Sequence, residues 1–293
     1  MNDRQTIGSA SLVAVVSAEG AELRRLTTAA GDDLLWHGGP EWPRHAPVLF
    51  PIVGRLVDDT FLHEGKAHRL TLHGFARDSR FAWVERGSDR VVLELRDDAA
   101  TRAVYPFPFR LELTYAIADR TLTVTTRVEN PGDVPLPCGV GAHPAFRWPL
   151  VEGIAQESHS LEFDADESPF TFQVCDGLLG PRVASPIAGR RLRLSPDLFV
   201  DDALILPDVA SRSVRFAAHD AEGRTRRALD VAWTGYRDLG IWSKPEGARF
   251  LCIEPWYGMC SPVGWQGEIA DKPGLLSIEP GGARDLTWSV TVD

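Results

Sequence analysis

Phe109-Arg-Leu-Glu-Leu-Thr-Tyr-Ala-Ile-Ala-Asp-Arg-Thr-Leu-Thr-Val-Thr-Thr-Arg-Val128 is two alternating runs joined at Asp119-Arg120. Strand side chains point to opposite faces in turn, so Phe109, Leu111, Leu113, Tyr115 and Ile117 share one face. Leu122, Val124, Thr126 and Val128 share a face in the second run. The pattern predicts an antiparallel hairpin with one wet side. Val91, Leu93 and Leu95 repeat it upstream; Val214 and Phe216, then Leu229, Val231 and Trp233, and finally Leu286, Trp288, Val290 and Val292 repeat it downstream. No long segment has helical period and no internal repeat is visible. An all-β protein of two large antiparallel sheets packed face to face is therefore expected.

The hairpin runs on into Cys138-Gly-Val-Gly-Ala-His-Pro-Ala-Phe-Arg-Trp148. Read as one strand, this segment puts Val134, Leu136, Cys138, Val140 and Ala142 on a core face, and Gly139, Gly141 and His143 on the other. Pro144 then ends the strand at the imidazole. Two bare positions beside a histidine fit a floor for a small molecule. They also fit a bulge beside a structurally satisfied histidine.

Elsewhere, Leu12–Val16 and Ala21–Leu26 read as a hairpin turning near Glu19-Gly20, although Leu23 and Leu26 do not alternate. Residues 46–56 are apolar up to Arg55, and Pro47 and Pro51 exclude them from the middle of a sheet. Arg55 either bridges a neighbouring acid or offers its donor fork inside a cleft. Glu64-Gly65 turns between two short strands. His63, His68 and His73 recur every five residues, an odd spacing that alternates strand faces and so argues against a three-histidine metal site. Residues 149–197 read as loops and short strands. Phe199–Leu206 reads as a short strand interrupted by Asp201 and Asp202, and Arg249–Gly258 as a strand apolar on both faces that ends at Glu254. A carboxylate at the end of a buried strand is unusual.

The chain of 293 residues carries 41 acidic against 31 basic residues, a net charge of −10 that disfavours a nucleic-acid partner. No window approaches the ~20 apolar residues of a membrane span, and no leader pattern opens the sequence, so a soluble, cytoplasmic protein without membrane partners is expected. The 4 cysteines show no metal or disulfide spacing and read as reduced thiols. There is no nucleophile elbow, phosphate loop or dinucleotide fingerprint. What remains is a histidine, a glutamate, arginines, a second histidine and 9 tryptophans, an inventory suited to acid/base work on a sugar.

Leu49-Phe-Pro-Ile-Val-Gly-Arg-Leu56, His73-Gly-Phe-Ala-Arg-Asp78, Gly141-Ala-His-Pro-Ala-Phe146 and Cys252-Ile-Glu-Pro-Trp256 follow one another in an order that resembles the aldose 1-epimerase (mutarotase) family. The likeness is to its bacterial branch near the lactose-operon accessory protein. The resemblance implies a galactose-mutarotase-like β-supersandwich, a single domain over residues 1–293. It also implies interconversion of the α and β anomers of a free hexose, with neither metal nor cofactor. By position, Glu254 is the implied general base and His143 the implied general acid, the latter protonated at the outset. Arg55, His73, Arg77 and Asp202 are the implied sugar ligands.

Alternatives stand beside these roles. Glu254 has Arg55 and Arg77 as structural partners to hand, Arg77 has Asp78 and Asp201, and His73 suits a structural tautomer donor. Met259-Cys-Ser-Pro262 departs from the branch, which more often has small residues and an aspartate there; this bears on substrate choice. A hexose-6-phosphate 1-epimerase would need Arg55, Arg77 and Arg80 to converge. A non-catalytic sugar-binding or sensing protein would have no need of a matched acid and base. The expected partner is a small-molecule sugar, and the expected assembly a monomer or weak homodimer.

Overall fold

The computed structural model describes residues 3–245 and 247–293. Two antiparallel sheets dominate it. The nine-stranded sheet runs Arg191–Arg193, His159–Phe163, Ser213–His219, Thr225–Thr234, Ala283–Val292, Thr121–Glu129, Arg110–Ala118, Arg90–Arg96 and Ala82–Arg86. The eight-stranded sheet runs Leu178–Ala184, Phe170–Cys175, Leu204–Leu206, Asp238–Trp242, Phe250–Tyr257, Val140–Ala142 and Val48–Leu49, with Ala145–Arg147 also paired to Phe250–Tyr257.

The alternation of the central hairpin places its apolar residues as expected: Leu111, Leu113, Tyr115, Ile117, Leu122, Val124 and Val128 are all buried. They join Val140, Ala142, Leu251 and Ile253 of the other sheet in one hydrophobic cluster. Each fully buried side chain of this kind contributes about 1.5–3 kcal/mol. The sandwich is thus held by apolar contact between the inner faces, which leaves the outer face of the eight-stranded sheet free to carry chemistry.

Local expectations fare unevenly. A register shift between Val15 and Val16 lets Leu23 and Leu26 both be buried despite their spacing, and Arg4–Gly8 adds a third strand to that hairpin. Val48–Leu49 pairs only with Val140–Ala142, the edge position that Pro47 and Pro51 require. Residues 199–206 are not one strand: a 3-10 turn spans Pro196–Phe199, Asp202 has φ 77°, and only Leu204–Leu206 is extended. No described helix is long and apolar enough to cross a membrane.

The stretch 134–143 is also not one strand. It splits into Leu136–Cys138, paired with Leu276–Ile278, and Val140–Ala142 in the eight-stranded sheet; Val134 is 45% exposed. Its glycines do not floor a ligand site. A Cβ on Gly139 would meet the backbone of Ile52 and Val53, and one on Gly141 would lie 2.8 Å from the Trp256 indole. From the other side, a Cβ on Gly240 would lie 2.4 Å from the Trp256 ring. The glycines seat a tryptophan. Gly240→Ala is accordingly expected to lower stability by about 1–3 kcal/mol through overpacking; a denaturant midpoint equal to that of the wild type would show that Trp256 is not held this way.

Candidate active site

The Phe250–Tyr257 strand meets two short strands along one edge. Val140–Ala142 pairs through Val140↔Tyr257 and Gly141↔Trp256, and Ala145–Arg147 through Ala145↔Cys252. Both follow one register, which places His143 and Pro144, in the gap between them, opposite Glu254 and Ile253. The Ile253 N–H donates to the Pro144 carbonyl at 3.3 Å. Two prolines, Pro144 and Pro255, lack the N–H that would close the ladder here. Glu254 therefore lies within its strand, beside an interruption, and not at the strand end expected from Pro255.

Directly opposed residues of an antiparallel pair project from the same face. His143 Nε2 and Glu254 Oε2 lie 3.2 Å apart, with side-chain exposures of 9% and 1%. Burial pushes Glu254 well above the ordinary carboxylate pKa, and Asp202 adds to the shift; the Trp256 indole opposes it. Burial also lowers His143 to about 3, and Arg77 and Arg44 act in the same direction. Both groups thus favour their neutral forms. This runs against the expectation of a histidine protonated at the outset, since burial disfavours the charged imidazole.

This pair forms part of a cavity of about 330 Å³ whose wall also includes Arg55, His73, Arg77 and Asp202. All six residues singled out from the sequence thus line one space. His73 has φ 65° and accepts a hydrogen bond from the Gly54 N–H at its Nδ1, 3.0 Å. That bond fixes a neutral ring with its proton on Nε2, and burial, His143, Arg77 and Arg44 hold its pKa well below the usual value. Arg55 Nε pairs with Asp59 at 3.3 Å and is about half exposed. Arg77 is mostly buried, 3.6 Å from Asp78, which Arg44 also contacts at 2.8 Å. Arg80 faces elsewhere, paired with Asp3 and Glu19.

Trp42, Trp242 and Trp256 supply aromatic wall, and Asp176-Gly177 and Cys260 complete the rim. Asp176-Gly177 is the tip of a hairpin between Phe170–Cys175 and Leu178–Ala184. The Asp-Gly pair is a strong hairpin signal within the stretch read only as loops and short strands. Cys260 brings the departing Met259-Cys-Ser-Pro262 segment to the cavity, where Lys272 Nζ donates to the Met259 carbonyl at 2.7 Å.

Arg77 Nε and His143 Nδ1 are buried on this cavity with no hydrogen-bond partner among the described residues. An unsatisfied buried polar group costs about 1–3 kcal/mol, a cost that a polar ligand reaching them would offset. As for metals, donor atoms of His143, Cys252 and Glu254 lie within 4.8 Å of one another. Burial and Glu254 push the Cys252 thiol well above its usual pKa, and Glu254 is likewise raised, so two of these three groups would have to give up a proton to ligate a metal.

The aldose 1-epimerase family pattern matches residues 3–268. A protein LacX (plasmid) of Lactococcus lactis subsp. lactis is 29% identical over 285 residues, 93% of this chain and 94% of that one. A galactose mutarotase related enzyme from Lactobacillus acidophilus superposes with a TM-score of 0.92 at 31% identity, covering 99% and 97% of the two chains. A galactose mutarotase-like protein from Lactobacillus casei gives 0.90 at 26% identity, covering 99% and 100%.

Because the Gly54 N–H occupies His73 Nδ1, 15N NMR should report an uncharged His73 ring protonated at Nε2, unchanged as the pH falls from about 7 to 5, through the ordinary histidine range. A His73 signal that titrates near 6.5 would contradict the arrangement.

Proposed function

The chain belongs to the aldose 1-epimerase family, and on that footing we propose that it interconverts the α and β anomers of a free hexose by general acid/base catalysis. The observation that carries the proposal is the buried contact of His143 with Glu254 on a sugar-sized cavity. O1 and O5 of a pyranose share one carbon, so two adjoining groups reach both oxygens together.

The pair holds one proton, which burial favours on Glu254 in the free protein. A bound sugar donates hydrogen bonds to the carboxylate and so favours its charged form, moving the proton to His143. Glu254 then takes the proton of the O1 hydroxyl while His143 gives one to O5 and the C1–O5 bond breaks. Rotation about C1–C2 presents the other face of the aldehyde. On closure His143 recovers the proton from the C5 hydroxyl, and Glu254 returns one to the carbonyl oxygen. In this scheme His73 donates through Nε2, and Arg55, Arg77 and Asp202 hold the remaining hydroxyls.

A second reading, epimerisation of a hexose 6-phosphate, is favoured by one observation: Arg77 on the cavity wall shares Asp78 with a second cation, Arg44. Arg80, the third cation this reading called for, lies elsewhere.

The test is the decay of optical rotation of fresh α-glucose and α-galactose, with glucose 6-phosphate followed in parallel. Glu254→Gln and His143→Asn should each lower kcat by about 100- to 10,000-fold, the usual worth of such a group, with KM little changed. Full turnover by Glu254→Gln would remove that residue from the mechanism, and saturable binding without anomerisation of any sugar would leave a binding protein.

The pH dependence follows from the same pair. A second proton reaches the lowered His143 only near pH 3 in the free protein, whereas the raised Glu254 keeps the shared proton well above its ordinary range. kcat/KM reports the free enzyme, so it should show no ordinary histidine step near pH 6.5. An inflection near 6.5 would mean a solvated, independently titrating histidine.

A further inference from the structure

His143 is enclosed by rings. The Trp42 indole stacks on it with centroids 5.0 Å apart and planes 28° from parallel. Trp242 stands almost perpendicular at 5.8 Å, and so does His73 at 5.7 Å. Trp42 comes from the loop over residues 37–47, outside both sheets, yet it is firmly placed. Its carbonyl accepts from Trp36 Nε1 at 2.8 Å, its ring lies on Phe250 at 5.3 Å, and the neighbouring Glu41 carbonyl accepts from Lys244 at 3.0 Å.

An indole face carries the negative side of a quadrupole and attracts a cation within about 6 Å of its centre, more strongly when water is excluded. A neutral imidazole gains much less from the same face. The charged and titratable groups around His143 are Glu254 opposite it and Cys252 next to Glu254 along that strand. His73 stands perpendicular, Arg77 and Asp202 line the same cavity, and Arg44 acts on His143 from beside Asp78. The arginines and burial oppose a proton on His143; the carboxylate and the Trp42 face favour one.

We propose that Trp42 is a positioning residue for His143, stabilising the imidazolium through its stacked face and holding the ring plane against Glu254. Trp42 excludes water from one side of the ring, which removes solvation from the charged form, and offsets that loss with the quadrupole. The effect belongs to the sugar-free protein, while its consequence for turnover rests on the mutarotase reading.

Trp42→Leu and Trp42→Phe test it, with circular dichroism to establish folding and 15N shifts of labelled histidine followed into acid. The midpoint of His143 should fall by about one unit in Trp42→Leu, a tenfold loss of imidazolium within the range of such contacts. Trp42→Phe, which keeps a weaker aromatic face, should fall between. In turnover, kcat of Trp42→Leu should drop about tenfold, by more than KM rises. An unchanged His143 midpoint overturns the proposal, as does a higher KM with kcat intact, which would make Trp42 a sugar platform alone. If Trp42→Leu does not fold, Trp42→Phe decides by the same two readings. If the wild type anomerises no sugar, the mutarotase reading fails and the His143 midpoint alone judges Trp42.

Discussion

Two prolines and a shared register bring an imidazole and a carboxylate face to face inside a sheet. Had the edge of Phe250–Tyr257 been closed by one continuous strand, position 143 would belong to a regular ladder with its backbone groups paired. Instead Val140–Ala142 and Ala145–Arg147 hold the register from both sides while Pro144 and Pro255 leave the ladder open between them. The geometry of His143 and Glu254 is therefore set by eight strands of hydrogen bonding, which is stiffer support than a loop supplies.

Burial gives that pair its chemical character. Removal of both side chains from solvent pushes each member toward its neutral form. Some backbone strain lies at the same place: His73, Asp176 and Asp202 have positive φ and line the cavity, although other residues with positive φ, such as Ala21 and Asp119, lie away from it. The apolar contact between the two sheets supplies the stability that these unsatisfied and strained positions subtract.

Aromatic surface completes the site by two different routes. Trp256 is part of the sheet, lying over Gly141 and Gly240 because neither has a side chain to displace it. Trp42 is delivered by a loop and placed by Trp36 and Phe250. The first is a consequence of strand register; the second depends on chain that no periodicity describes.

Alternation alone determined the sheet-forming runs around Phe109–Val128 and their buried faces, since side-chain direction in a strand follows directly from residue order. The family resemblance likewise implied Glu254, His143, Arg55, His73, Arg77 and Asp202 as site residues, and these line one cavity. Their interpretation was less secure where it depended on neighbours distant in sequence. Gly139 and Gly141 were legible as bare positions, but only the fold showed that Ile52, Val53 and Trp256 fill the space. Pro255 announced a break, yet the break lies in the pairing and not in the strand. The protonation of His143, the turning away of Arg80 and the stacking of Trp42 were decided by tertiary structure. Each depends on how much water and which charges surround a group, and residues far apart along the chain determine both.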